Sequence, residues 1–103
     1  MKPETRFRIN HVVPFLKKLP NTYFMSIQQL AISGDPDLIL CVRGRFVALE
    51  LKAEGEKPRK LQEYKLEKIR KAGGIRLVAS PENWSNIKQV LVNMDKGDKD
   101  EHW

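Results

Sequence analysis

The stretch FVALELK, residues 46–52, decides the fold and raises the question of a site. From Val47 through Leu51 every second residue is apolar, which is the pattern of a strand with one buried face. The other face carries Glu50 and Lys52, two positions about 7 Å apart along the backbone. A short apolar strand with a carboxylate and an amine on one side carries either a functional site or a surface ion pair.

A second strand precedes this stretch, directly after a Gly-Asp-Pro turn. Residues 37–42, DLILCV, are apolar on both faces after Asp37, which predicts a central strand in a covered sheet. The Arg-Gly-Arg sequence at 43–45 predicts the tight turn of a hairpin. Antiparallel pairing about that turn places Asp37 opposite Glu50 to Lys52, with the register open by one residue.

Three charges can therefore converge at one end of the hairpin. Two carboxylates that lie close repel each other, and a divalent cation such as Mg²⁺ relieves that repulsion and binds phosphate. A lysine beside them can orient or deprotonate a water, or stabilise charge that develops on a phosphate. The alternative is a surface ion pair between Glu50 and Lys52 worth about 0–1 kcal/mol, with Asp37 capping the turn. These residues alone leave both interpretations open.

The rest of the chain predicts an α/β fold in the order αβββαβα, with a mixed sheet flanked by helices. On the 59–72 helix, Leu61, Tyr64 and Ile69 share the face expected to be buried, and the last helix is expected to begin after Ser80. The predicted elements are a helix over 9–19, strands over 22–32, 37–42 and 46–53, a helix over 59–72, a strand over 75–80 and a helix over 81–93. Residues 1–94 are expected to form one domain, and the acidic segment 95–103 a disordered tail.

Composition narrows the function classes. The chain has 103 residues and a net charge of +6, which favours a polyanion, nucleic acid before an anionic membrane surface, although simple solubility is an alternative. A single cysteine, Cys41, excludes an internal disulfide and suits a reducing compartment; we expect it to pack in the core. No apolar run approaches a membrane span, and the N-terminus has no signal-peptide pattern. We expect a soluble cytoplasmic protein, in the host cytoplasm if it is virus-encoded.

One ordered set of motifs resembles a known family. The sequence GDPD at 34–37 is followed by a strand, a Gly-containing turn, Glu-Leu-Lys at 50–52, a helix with Gln62 near its start, a Gly-Gly stop and a strand. This set resembles the VRR-Nuc (virus-type replication-repair nuclease) branch of the PD-(D/E)XK nuclease superfamily. The resemblance covers about residues 22–80, more than half of the chain.

The resemblance implies a restriction-endonuclease-like core and a Mg²⁺- or Mn²⁺-dependent endodeoxyribonuclease with no other small-molecule cofactor. Asp37 and Glu50 would bind the metal, helped by the backbone carbonyl of Leu51. Lys52 would assist the attacking water, and Gln62 would support the site from its helix.

Two features depart from the family pattern. Members often carry a Glu in the first helix that reaches the metal; Glu4 is the only acid before the Gly-Asp-Pro turn, and it lies outside the predicted helix. Members also tend to have Thr or Ser shortly before the Gln, where this chain is basic. Lys57, Arg59, Lys60 and Lys65 are candidate contacts for a nucleic-acid backbone, and a solvated helix face is the alternative.

Standalone members of this branch resemble Holliday-junction resolving enzymes, which act as symmetric dimers. The resemblance therefore predicts a homodimer that cuts branched DNA. We expect strand 22–32 and the N-terminal helix to form the contact, because their apolar residues exceed what one small core needs. Two alternatives belong to other classes: a non-catalytic nucleic-acid-binding module with a degenerate site, and a protein-interaction domain. His11 and His102 lack metal-ligand spacing, and both are predicted to be surface residues.

Overall fold

The computed structural model describes residues 1–27 and 34–97, and its strands form one four-stranded sheet with helices on both faces. An N-terminal helical segment contains three parts, α1, a π-helical turn and α2, and precedes strand β1. The bounds are α1 Pro3–Phe7, π-helical turn Arg8–Val12, α2 Val13–Leu16, β1 Thr22–Ser26, β2 Leu38–Val42, β3 Arg45–Leu51, α3 Lys60–Lys71, β4 Ile75–Ala79 and α4 Trp84–Lys96. Within the described ranges, no helix has the length and apolar character that a bilayer crossing requires.

The sheet has the strand order β1-β2-β3-β4 and mixed direction. The first three strands pair antiparallel and β4 pairs parallel with β3, which confirms the predicted α/β class with a mixed sheet. Strand β1 ends at Ser26, and residues 28–33 of the predicted 22–32 strand lie outside the described residues.

The predicted hairpin joins β2 to β3 through a two-residue turn, Arg43 and Gly44. Their φ angles are 47° and 84°, as in the left-handed turns that match the twist of paired strands. Leu38 pairs with Leu49 across the hairpin, so the residue before Leu38 lies opposite the residue after Leu49. The turn thus sets the register on which the candidate site depends.

The two faces of the sheet are covered to different extents. On one face, side chains of β2 and β3 pack with the N-terminal segment and α4 into the core, which includes Leu40, Leu49 and Leu91. On the other face, α3 lies against β3 and β4. Cys41 on β2 is exposed there, so the prediction that it packs in the core is wrong. Its strand is central, but α3 does not extend over β2 on that side.

The N-terminal helical segment begins at Pro3, six residues before the predicted start. Proline at the first helical position has its φ angle already set for a helix, and its missing N–H costs nothing there. The π-helical turn directly precedes Pro14 in α2, whose ring nitrogen cannot donate to the preceding turn. Phe7 and Leu16 are buried on the sheet side of this segment.

Helix α3 presents a different face to the sheet from the one predicted. Gln62 and Leu66 are buried, whereas Leu61 and Tyr64 are 45% and 58% exposed. A hydrogen bond from Gln62 to Glu50 sets this rotation. The prediction for Leu61 and Tyr64 was wrong because apolar periodicity did not allow for an amide at the centre of the buried face.

Helix α4 begins at Trp84, after a turn over residues 81–83, so the predicted start after Ser80 was three residues too early. It ends at Lys96, and Asp95 is buried inside it. The expected start of the disordered tail at Asp95 therefore falls within the helix, and residues 98–103 lie outside the described residues.

Candidate metal centre

The hairpin and the strand end bring three predicted site residues together. Asp37 immediately precedes β2, Glu50 lies near the end of β3, and Lys52 follows that strand by one residue. Since Leu38 pairs with Leu49, Asp37 lies opposite Glu50, which is within the predicted range Glu50 to Lys52. Antiparallel register therefore places two carboxylates and one ammonium at the same end of the hairpin.

Asp37 is held by the backbone of the neighbouring strand. Its Oδ2 accepts a hydrogen bond from the N–H of Leu51 at 2.8 Å. Burial raises the pKa of Asp37, while the Leu51 N–H and the Lys52 ammonium oppose that shift. The bond orients one carboxylate oxygen toward β3, and a hydrogen bond with the Glu50 side chain also opposes the rise in the pKa of Asp37.

Glu50 is the most constrained acid of the site, with 1% of its surface exposed. Its Oε2 accepts a hydrogen bond from Gln62 Nε2 at 2.7 Å and lies 3.4 Å from Lys52 Nζ. Burial, and then the charge of Asp37, raises the pKa of Glu50 to about 7. Among buried side-chain oxygens and nitrogens of the described residues, Glu50 Oε1 has no hydrogen-bond partner.

Lys52 is 6% exposed, and its pairing with Glu50 is a buried interaction. The surface-ion-pair interpretation of these two residues is therefore wrong. Removing two charges from water costs several kcal/mol for each ion, and their attraction offsets that cost only with good additional contacts. Because Glu50 Oε1 has no hydrogen-bond partner, the buried Glu50–Lys52 pair is not arranged in the way that best stabilises the fold.

Gln62 links the start of α3 to the site. Its Oε1 accepts a hydrogen bond from the backbone N–H of Arg59 at 2.8 Å, while its Nε2 donates to Glu50. The first bond satisfies a free N–H at the helix start and also fixes which side of the amide faces Glu50. The structure thus places Gln62 where it orients a carboxylate.

Glu4 on α1 lines the same cleft as Asp37 and Lys52, which the sequence did not predict. Burial, and next the charge of Asp37, raises the pKa of Glu4, while Lys52 lowers it. Pro3 was the signal in the sequence, because a proline after Lys2 marks a helix start that brings Glu4 into the first turn.

The backbone of Leu51 also belongs to the cleft. The Leu51 side chain is buried in the core, yet the residue lines the cleft, so its main chain faces the opening. Its N–H donates to Asp37, and the N–H and C=O of one strand residue point to the same side. The Leu51 carbonyl therefore lies on the Asp37 side of β3.

The cleft measures about 570 Å³ and is bordered by cations. Of the four predicted nucleic-acid contacts, Lys57 and Arg59 line it. Lys65 instead forms a salt bridge with Asp35 at 2.9 Å, and Lys60 is an exposed residue at the start of α3. Arg8 also lines the cleft, together with Lys2, and neither was predicted.

The donor set fits a hard divalent cation that retains water. Among the described residues, no three side chains of His, Cys, Asp or Glu form a complete metal-binding group. Asp37 and Glu50 provide two carboxylates at the hairpin end, and Mg²⁺ is commonly held by one or two carboxylates, several waters and a substrate phosphate. The unpartnered Oε1 of Glu50 is a buried lone pair of the kind such an ion accepts.

Comparison with known proteins leaves this site to be interpreted from its own residues. No family model matches the chain, and neither a curated protein nor a solved structure is significantly similar to it.

Proposed function

We propose that the chain is a Mg²⁺- or Mn²⁺-dependent endonuclease with a restriction-endonuclease-like core of the VRR-Nuc type, and that it hydrolyses phosphodiester bonds in branched DNA. The observation that carries the proposal is Glu50 Oε1, a buried carboxylate oxygen without a partner, opposite Asp37. A protein that only needed a buried ion pair would satisfy this oxygen, because an unpaired buried polar atom costs about 1–3 kcal/mol.

In this proposal, Asp37, Glu50 and the Leu51 carbonyl would hold the metal, and Glu4 on α1 lines the same cleft as Asp37. The bound cation would lower the pKa of a water and neutralise charge on the scissile phosphate. Lys52 positions that water or stabilises the phosphate in the transition state, because its ammonium lies beside the carboxylates. Gln62 donates to Glu50 Oε2 and would hold that carboxylate in the orientation needed to bind the metal.

The charges around the cleft support a DNA substrate. Lys57, Arg59 and Arg8 border the acidic centre, so the centre that repels phosphate is surrounded by groups that attract it. Each phosphate neutralised by a cation releases counterions, so binding should weaken as salt increases. The exposed thiol of Cys41 agrees with a reducing compartment, and we place the activity in the cytoplasm.

We further propose that the enzyme acts as a homodimer, as a junction with two equivalent strands requires. The face of β1 and β2 that α3 leaves uncovered carries Tyr23, Met25 and Cys41, with Phe46 beside Cys41 on β3. Tyr23, Met25 and Phe46 are 69%, 51% and 49% exposed. A two-fold contact through this surface would bury apolar groups of both copies.

Cleavage of DNA by the purified chain tests the proposed activity. A four-way junction, a duplex and a single strand are incubated with Mg²⁺, Mn²⁺ or EDTA. We expect cleavage of the junction with either metal and none with EDTA. Binding without cleavage under every condition would instead support the non-catalytic module, and absence of binding at low salt would support the protein-interaction domain.

The metal site is tested separately by titrating the protein with Mn²⁺ in a calorimeter. Asp37→Asn and Glu50→Gln should each weaken binding strongly. Glu63→Gln is a matched control, because Glu63 is an exposed acid that pairs with Arg76. Equal Mn²⁺ affinity in all of these proteins would refute the site.

Light scattering tests the dimer. The wild-type protein should be a dimer of 12.0 kDa chains, and Tyr23→Lys with Met25→Lys should convert it to a monomer. Ile9→Lys tests the predicted contribution of the N-terminal helix, since Ile9 is exposed on that segment. A wild-type monomer that is fully active at micromolar concentration would exclude the dimer.

A further inference from the structure

A second cleft of about 330 Å³ lies between α1 and the start of α4, outside the candidate metal centre. Glu4 and Arg8 line the metal cleft, whereas Phe7 and His11 line the second cleft from a different face of the same helical segment. We call this second space the aromatic cleft. A helix with its side chains is about 10–12 Å across, so a strand that crosses the segment can reach both clefts.

The floor of the aromatic cleft is apolar and rigid. Trp84 packs edge-to-face with Phe7 and with Phe15, with ring centroids 5.5 and 5.4 Å apart. These two contacts fix the indole from two sides, because edge-to-face pairs are favoured by the ring charge distribution. Phe7 and Trp84 are only 4% and 8% exposed, and Lys88 Nζ lies 6.0 Å from the centre of the Trp84 ring. The apolar surface open to a ligand is therefore the exposed ring of Pro81 with the small exposed part of the indole.

The rim of the aromatic cleft is polar, and its side chains are available to bind a ligand. Arg6, Asn10 and His11 line it with exposed side chains. Within the described residues, no hydrogen bond or ion pair engages the side chains of Arg6 and Asn10, and His11 contacts only the ring of Phe7. A guanidinium, an amide and an imidazole therefore surround an aromatic floor with their donors and acceptors free.

We propose that the aromatic cleft binds one unpaired nucleotide of a nucleic-acid strand. A nucleobase has an apolar face for the floor and His11, a polar edge for the Asn10 amide, and an adjoining phosphate for Arg6. Stacking on aromatic side chains tolerates any base, since every base has a π-face. An apolar peptide side chain in the cleft would form no hydrogen bond or ion pair with Arg6, Asn10 or His11.

This inference goes beyond the proposed cleavage and adds a reason for selecting branched DNA. Base pairs in an intact duplex are stacked and cannot enter the cleft, whereas unpaired nucleotides can. The nucleotide would bind beside the metal cleft, and a strand would be held next to the scissile bond. Because the binding step needs no metal, it can succeed or fail independently of the nuclease activity.

Fluorescence of Trp84 tests the inference directly. In the full chain with Trp103→Phe, Trp84 is the only indole left, because the sequence has 2 tryptophans. Titration with an eight-nucleotide thymidine strand in EDTA at low salt should give saturable quenching. An abasic strand of equal length supplies the phosphates without bases, and it should bind more weakly and quench little.

Two variants locate the nucleotide. Arg6→Ala and His11→Ala should each weaken binding by about fivefold or more, the lower limit for loss of one stacking contact or one phosphate contact. Lys17→Ala is the matched control for Arg6→Ala, because Lys17 is an exposed cation that follows α2. Circular dichroism checks that each variant folds.

The outcomes separate the two proposals. Absence of quenching, equal quenching by the abasic strand, or quenching that both Arg6→Ala and His11→Ala leave unchanged would overturn the aromatic-cleft proposal. Glu50→Gln should abolish cleavage and preserve quenching, since Glu50 does not line this cleft. Loss of cleavage with intact quenching therefore concerns the nuclease alone.

Discussion

Two buried acids, Asp95 and Glu50, differ in how the fold satisfies them. Asp95 is 2% exposed, and its Oδ1 accepts hydrogen bonds from the Asn21 N–H at 2.9 Å and the Thr22 hydroxyl at 2.7 Å. Glu50 is as deeply buried, but one of its oxygens has no partner and a second carboxylate lies opposite. The difference teaches that burial alone does not distinguish a structural acid from a candidate catalytic one. The two kinds of acid are distinguished by whether their carboxylate oxygens have hydrogen-bond partners.

The largest effect that we expect is on the rate of junction cleavage, and it follows from changing Lys52, the ion-pair partner of Glu50. Lys52→Ala should reduce junction cleavage by about 10²–10⁴-fold, the range for losing a positioned proton-transfer or charge-stabilising group. Lys52→Arg should not restore the rate, because guanidinium differs in shape and stays protonated. The chain should still fold, because Glu50 can take up a proton when the ammonium is absent.

Single-turnover cleavage at saturating Mg²⁺ measures this effect, and Lys68→Ala provides an exposed-lysine control on α3. A Lys52→Ala protein that cuts at the wild-type rate would leave Lys52 as a buried ion-pair partner only.

Gln62→Ala should have the next largest effect. It removes the neutral donor to Glu50, and loss of a group that orients a metal ligand typically costs 10–100-fold in metal affinity or activity. Mn²⁺ titration and cleavage at rising Mn²⁺ concentration measure it. Restoration of the rate by high metal would indicate weakened binding, whereas a rate unchanged at every concentration would contradict the orienting role.

Asp95→Ala and Glu50→Gln should change stability in different ways in metal-free protein at pH 8. Loss of Asp95 leaves the Asn21 N–H and the Thr22 hydroxyl unpaired and should lower the free energy of unfolding by about 1–3 kcal/mol. Glu50→Gln removes a buried charge, while Asp37 still neutralises Lys52. Its free energy of unfolding should be unchanged or higher. Urea denaturation of both variants measures this, and equal destabilisation would remove the distinction between the two acids.

The smallest effect expected is a pH slope. The pKa of Glu50 is about 7 in the folded chain against an ordinary value of 4.5, so between these values the native state binds more protons than the unfolded state. Stability must then fall as pH rises through that window. The raised pKa values of Asp37 and Glu4 act in the same direction. The loss should be on the order of 1–2 kcal/mol between pH 5 and 8.

Excess Mg²⁺ should reduce or reverse this slope, because a metal binds the ionised carboxylates and stabilises the folded state. Denaturation at pH 5 and 8, with EDTA or Mg²⁺, gives the slope directly. Glu50→Gln should flatten it in EDTA. A slope of the same size in Glu50→Gln would assign it to other groups.

The hairpin could be predicted from the sequence because the residues that determine it are close together in the chain. Period-2 alternation in β3 and the Arg-Gly turn predicted the hairpin and placed Asp37 opposite Glu50 to Lys52, and the structure selects Glu50 within that range. The exposure of Cys41 could not be predicted in the same way, since β2 is apolar on both faces and its pattern does not show which face the rest of the chain covers.

The errors on α1 and α3 arose because apolar periodicity was the main guide to both helices. Gln62 faces the sheet because it bonds to Glu50, and Leu61 and Tyr64 are consequently exposed. Glu4 was left outside the first helix because the apolar pattern began later, although Pro3 already marked the true start. Neither the contact of Gln62 with Glu50 nor the helix start at Pro3 has a periodic signature in the chain.

The bonds to Asp95 also have a consequence for the order in which the molecule folds. The Asp37 to Leu51 bond spans 14 positions, whereas the bond from Asn21 to Asp95 spans 74. Contacts between near positions lose less chain entropy and form sooner, so the hairpin should exist before α4 closes on β1. Pulse-labelling hydrogen exchange should protect the Leu51 amide earlier than the Asn21 amide. The hairpin would then bring Asp37 and Glu50 together before α4 packs against β1. The packing of α4 would therefore stabilise two carboxylates that repel each other when no metal is bound.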